Sequence, residues 1–113
     1  MKKALVVMAV LAGALSPPAV SAQMPASQVV FENQSVRITV LTFVPGGATG
    51  RHQGIESEIG LVIEGELTVE NPLGRQSLRP GSAYWMPGLT PHDVRNESNH
   101  PAKLWDIFLK RCD

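Results

Sequence analysis

Between Arg51 and Glu58 the chain reads RHQGIESE, so one histidine, His52, and two carboxylates, Glu56 and Glu58, fall together just ahead of an apolar run. Some forty positions later His92 sits in a second polar block, PHDVRN. Imidazole and carboxylate are the side chains that hold divalent cations. The same residues also make an ordinary polar loop leading into a strand. Other reactive arrangements are missing: no glycine-rich phosphate loop is present, and the serines near His92 lack the strand–turn–helix context of a nucleophile elbow. Cys112, the one cysteine, lies far along the chain from both histidines and carries no signature of a catalytic thiol.

Strands must position these groups, because after residue 23 no segment has the period of an amphipathic helix. Short strand signals follow one another instead, separated by Gly, Pro and Asn. They cover 28–31, 35–43, 59–63, 66–69, 76–78, 82–86, 92–95 and 102–110. In SVRITVLTF the apolar alternation changes phase at Leu41 and Phe43, which predicts either a bulge or a strand covered on both faces. Glu64-Gly65 reads as the loop of a tight hairpin, and Asn71-Pro72-Leu73-Gly74 as a type I turn. About eight short strands predict an all-β sandwich or barrel. A small closed β-barrel suits so short a chain and removes exposed strand edges. Ile38, Val40, Leu61, Ile63, Leu67, Val69, Leu104 and Ile107 read as its core. Tyr84 and Trp85 alternate, so one faces the barrel and the other the outside, while Trp85 and Trp105 read as packing residues.

Two spaced blocks resemble the cupin family. Gly46, His52, Glu58 and Gly65 stand at the spacings of the first cupin motif, and Gly81, Pro87, His92 and Asn96 at those of the second. Two positions depart: Gly54 stands where the motif has its second histidine, and Leu89 where it has an internal glycine, a turn that Gly88 is positioned to supply. The chain is more narrowly similar to small exported bacterial cupins through ENQSVRITVLTFVPGGATGRH and PHDVRN. The resemblance covers residues 46–96 directly and implies the all-β cupin jelly roll, a small barrel with a metal inside it.

The ligands implied are His52, Glu58 and His92. His52 and position 54 share a face of any strand that carries them, so a donor is lost at Gly54, and a coordination position opens for water or substrate. Two imidazoles and a carboxylate suit Fe(II), and equally Zn²⁺ with a water; Mn²⁺ and Ni²⁺ also fit. Glu56 shares parity with Gly54 and is an alternative donor, although a solvated glutamate is the commoner outcome in such a loop. Asn96 reads as structural and His100 as an exposed turn residue.

The chain opens MKKALVVMAVLAGALSPPAVSAQ, with two lysines, an apolar stretch, a Pro-Pro break and a Val-Ser-Ala end. That is the form of a secretory signal peptide, residues 1–22, cleaved before Gln23, and it predicts export to the periplasm or beyond. The remaining domain, 23–113, has about 91 residues, few for a stable core. Ten basic and ten acidic residues become eight and ten once Lys2 and Lys3 are removed. No basic patch is present, which argues against nucleic acid and anionic membrane surfaces as partners.

A small-molecule ligand or substrate is the partner this reading implies. A homodimer is a second expectation, because cupins commonly pair through edge strands. Three functions follow: a metal-binding cupin acting on a small molecule, a metal-free ligand-binding or sensing cupin in which Gly54 marks a lost site, and a partner-binding β-domain with a solid core. The fold does not decide whether the first of these is an enzyme.

Overall fold

A computed structural model describes residues 22–110. Residues 1–21 of the expected leader lie outside the described residues, as does Cys112. Eight strands follow in order: β1 (Ala26–Glu32), β2 (Val36–Phe43), β3 (Ser57–Glu64), β4 (Leu67–Asn71), β5 (Gly74–Leu78), β6 (Ala83–Met86), β7 (Asp93–Arg95) and β8 (Ala102–Leu109). There is no helix among the described residues. A five-stranded sheet runs β1-β2-β8-β3-β6 and a three-stranded sheet runs β5-β4-β7, with every pairing antiparallel. The all-β jelly roll is therefore present, built as two sheets whose ladders do not join into one hydrogen-bonded cylinder.

Two turns differ in their roles. Asn71 and Gly74 pair across a true hairpin between β4 and β5, with Leu73 N donating to Asn71 Oδ1 at 2.9 Å. Glu64-Gly65, by contrast, does not close a hairpin: β3 pairs with β6 and β8, and β4 with β5 and β7. Gly65 instead carries the chain from one sheet to the other. Its φ is +73°, and a Cβ there would lie 2.4 Å from the Pro101 carbonyl oxygen, so positive φ and close backbone approach both demand glycine.

The β2–β8 register runs unbroken from Val36 opposite Leu109 to Phe43 opposite Ala102. The phase change in β2 is thus not a bulge. The irregularities fall instead in β1, between Val29 and Phe31, and in β3, between Val62 and Glu64. β2 is apolar on both faces, and directly paired residues share a side of the sheet. Leu41 and Phe43 turn inward onto Val62, Leu67, Val69, Leu78, Tyr84, Met86, Val94, Ala102 and Leu104.

Leu67, Val69 and Leu104 belong to the core as the sequence predicts, but Ile38, Val40, Leu61 and Ile107 are only half-buried and Ile63 is exposed. These residues and both tryptophans were expected to be packed. The register places most of them on the outer face in two apolar rows. One row is Phe31–Ile38–Ile107–Ile59–Trp85, and the other crosses Val40, Trp105, Leu61 and Ala83. Trp85 is 54% and Trp105 38% exposed, whereas Tyr84 points inward. A run apolar on both faces cannot reveal by its pattern which face the monomer covers.

Candidate functional site

Inside the five-stranded sheet the register stacks side chains in layers. Leu41, Leu104 and Val62 form an apolar floor, and the next layer crosses Thr39, Asp106, Gly60 and Tyr84. The layer above crosses Arg37, Phe108, Glu58 and Met86. Gly60 has no alternative in this arrangement. A Cβ there would meet the Tyr84 ring at 2.2 Å, so the glycine allows the phenol to lie flat across the strand below Glu58.

His52 and His92 come from segments outside the main ladders and meet in a two-way bridge. His52 N donates to the His92 carbonyl at 2.9 Å, and His92 N to the His52 carbonyl at 2.8 Å. Their ring centroids are 4.2 Å apart, tilted by 55°. Each Nδ1 lies 2.9 Å from a carbonyl oxygen two residues earlier, Gly50 for His52 and Thr90 for His92. A carbonyl only accepts, so each Nδ1 carries the proton, and in the neutral ring Nε2 keeps its lone pair. His92 is 2% exposed, and its Nε2 is buried with no hydrogen-bond partner.

That bare nitrogen faces Glu58, whose Oε1 is 3.5 Å away. The other oxygen, Oε2, accepts the Tyr84 hydroxyl at 3.2 Å. Asp106 bonds to the same carboxylate, and its acid is pushed up to about 9. Burial is the main cause, then the hydrogen bond and the charge of Glu58, with Arg37 pulling the other way. At neutral pH Asp106 therefore holds its proton and donates it to Glu58. Burial, with Asp106 and Glu58 nearby, raises the Tyr84 phenol well above its ordinary range. Two neutral donors thus hold one buried carboxylate beside one bare imidazole nitrogen.

The sequence-predicted residues divide unevenly. Glu58 and His92 meet in the interior, while His52 joins them through its backbone and ring but is exposed. Among the described residues no three of His, Cys, Asp and Glu form a ready-made cage for an ion. Glu56 does not replace the donor missing at Gly54; it pairs with Arg37 at 2.8 Å. Asn96 is structural: its Nδ2 donates to the carbonyls of Val44 and His100, and its Oδ1 accepts from Ser98. His100 is exposed.

The PGL turn departs from expectation, because Leu89 itself takes the left-handed conformation, with φ +67°. Gly88 is required for another reason, since a Cβ on it would lie 2.3 Å from the Ile55 carbonyl oxygen. Leu89 N then donates to the Gly54 carbonyl at 2.6 Å, tying the two motif loops together.

Sequence reasoning missed Asp106 and the site role of Tyr84. A signal for Asp106 was present: in AKLWDIFL it is an acid sharing a strand face with Leu104 and Phe108, and such an acid needs a partner when that face is buried.

Comparison with known proteins agrees with this architecture. The family model of the cupin domain matches residues 39–108. The crystal structure of a cupin domain from Bordetella pertussis Tohama I is 27% identical, with a TM-score of 0.70 over 82% of this chain and 100% of that one. A Thermus thermophilus protein is 30% identical, with a TM-score of 0.73 over 79% and 86% of the two chains. KdgF from Halomonas sp. is 25% identical, with a TM-score of 0.70 over 77% and 79%. No curated protein matches the sequence.

Proposed function

The chain belongs to the cupin domain family, and on that premise we propose that it is an exported domain holding one divalent metal through His92, Glu58 and His52 and taking a small molecule beside it. One observation carries the reading: His92 Nε2 is buried, bare and 3.5 Å from a Glu58 oxygen. Two donors on one tetrahedral centre, each about 2.1 Å from the metal, sit roughly 3.4 Å apart. The pair therefore fits an ion of the Zn, Fe, Mn or Ni class. The anchored Nδ1 atoms leave Nε2 as the donor on both rings, the arrangement by which outer partners orient metal-binding histidines.

When bound, the metal would polarise a substrate oxygen or activate water. Tyr84 and Asp106 hold the Glu58 carboxylate so that one oxygen stays turned to His92. His52 approaches from the solvent side, and the glycine at 54 leaves the mouth open beside it. The leader-type opening of the chain is what supports the export in this reading. Elemental mass spectrometry of the natively exported protein tests the metal. We expect about one equivalent per chain, lost in His92→Ala and in Glu58→Gln. Metal-free wild type that still binds small molecules in the presence of chelator would instead support a sensing or carrier domain.

A second copy of the chain is the proposed partner for the outer face of the large sheet. Five strands at about 4.8 Å and six residues at about 3.4 Å give roughly 500 Å² before side-chain relief is counted. A standard interface takes about 800 Å² from each partner. Every residue of β1, one of the two edge strands of the sheet, is exposed, with Val29 at 51% and Phe31 at 50%, so β1 extends the same surface. A two-fold pairing would cover both the apolar rows and the open edge.

A further inference from the structure

Among the described residues Arg37 is the one positive charge in the inward layer of the large sheet, and neither cupin motif includes it. The register sets it opposite Phe108 and in line with Glu58. Its guanidinium carbon lies 4.6 Å from the Phe108 ring centroid. Its side chain is 29% exposed, and its charge acts on the buried Asp106. It therefore lies on the same inward wall as Glu58, two strands away across Phe108.

A guanidinium stacked on a ring presents a planar fork that matches a carboxylate through two parallel hydrogen bonds. Glu56 fills that fork only in part, through one hydrogen bond from Nη2 to Oε1 at 2.8 Å. Glu56 lies just outside β3, at the end of a segment whose Gln53, Gly54 and Ile55 are all exposed, so few packed neighbours hold it there.

We propose that Arg37 anchors the carboxylate of the ligand, and that Glu56 occupies this seat until the ligand displaces it. β2 and β3 are separated by β8, roughly 10 Å between backbones. A molecule with its carboxylate on Arg37 and a second oxygen at the His92–Glu58 end needs a short carbon chain between them, which Phe108 supports from below. The ligand class is a small hydroxy or oxo acid. This assignment rests on the pocket proposed above.

The test uses 4-hydroxybutanoate and 4-oxopentanoate against their primary amides, titrated into the full mature chain and followed by ¹H–¹⁵N chemical shifts. Each titration is run with zinc and again with chelator. We expect the acids to bind about tenfold or more tightly than the amides. Arg37→Gln should abolish that preference, and Arg37→Lys should weaken it, because lysine keeps the charge but lacks the fork. Glu56→Gln should tighten acid binding by removing the internal competitor. Equal binding of acids and amides, or no acid-dependent shift around Arg37 and Phe108, overturns the proposal. Weaker acid binding in Glu56→Gln also overturns it and leaves the pair as a strut for the loop. Zinc stoichiometry is read separately: a protein that prefers acids yet retains no zinc refutes the metal and keeps the anchor.

Discussion

Replacing Asp106 with asparagine should change how stability depends on pH more than it changes the fold. Asp106 is 6% exposed and bonded to Glu58, and its acid stands near 9 against an ordinary value of 3.8. The folded chain therefore keeps a proton that the unfolded chain gives up. The favourable contribution is complete below about pH 4 and declines as pH climbs toward 9. One proton corresponds to at most about 1.4 kcal/mol per pH unit. Between pH 6 and 8 the wild type should lose on the order of 2–3 kcal/mol, a large share of the 5–15 kcal/mol typical of a domain. The asparagine amide would keep a donor toward Glu58 and cannot titrate, so Asp106→Asn should be nearly flat over the same range. Urea unfolding of chelator-treated protein at half-unit pH steps measures both slopes. A flat wild type, or a variant as steep as the wild type, would refute the shared buried proton.

Leu89→Gly should stabilise the fold by about 1 kcal/mol, because a side chain in the left-handed region costs that much or more and Leu89 is 60% exposed; a rise of about 4–8 °C in Tm would register it. Gly60→Ala should cost about 1–3 kcal/mol by overpacking and weaken metal retention as well, since its methyl would displace the Tyr84 ring that holds Glu58; urea unfolding and metal analysis report the two effects. Trp105→Lys should convert a dimer to a monomer in light scattering without loss of strand signal in circular dichroism, and an unchanged mass would remove the outer face as the interface. His100→Ala should leave metal content as it is, in contrast to His92→Ala.

The sequence by itself determined the strand inventory, the family blocks, and that His52, Glu58 and His92 were the donors to follow. Those features are local: turn residues, alternation and motif spacing are written along the chain. It also placed Leu67, Val69 and Leu104 correctly, since each lies on a strand face with one clear apolar phase. Only the tertiary structure decided the rest. In β2 and β3 both faces are apolar, and the pairing with β8 alone settles that Ile38, Val40 and Leu61 face outward. Gly65 has the look of a hairpin glycine, yet the partners of β3 and β4 make it a crossover between sheets. Tyr84, Asp106 and Glu58 come from three strands, and their shared proton exists only where the register aligns them. Which donors share a dry space is a property of how strands far apart in the chain pair, and no short stretch of sequence specifies that.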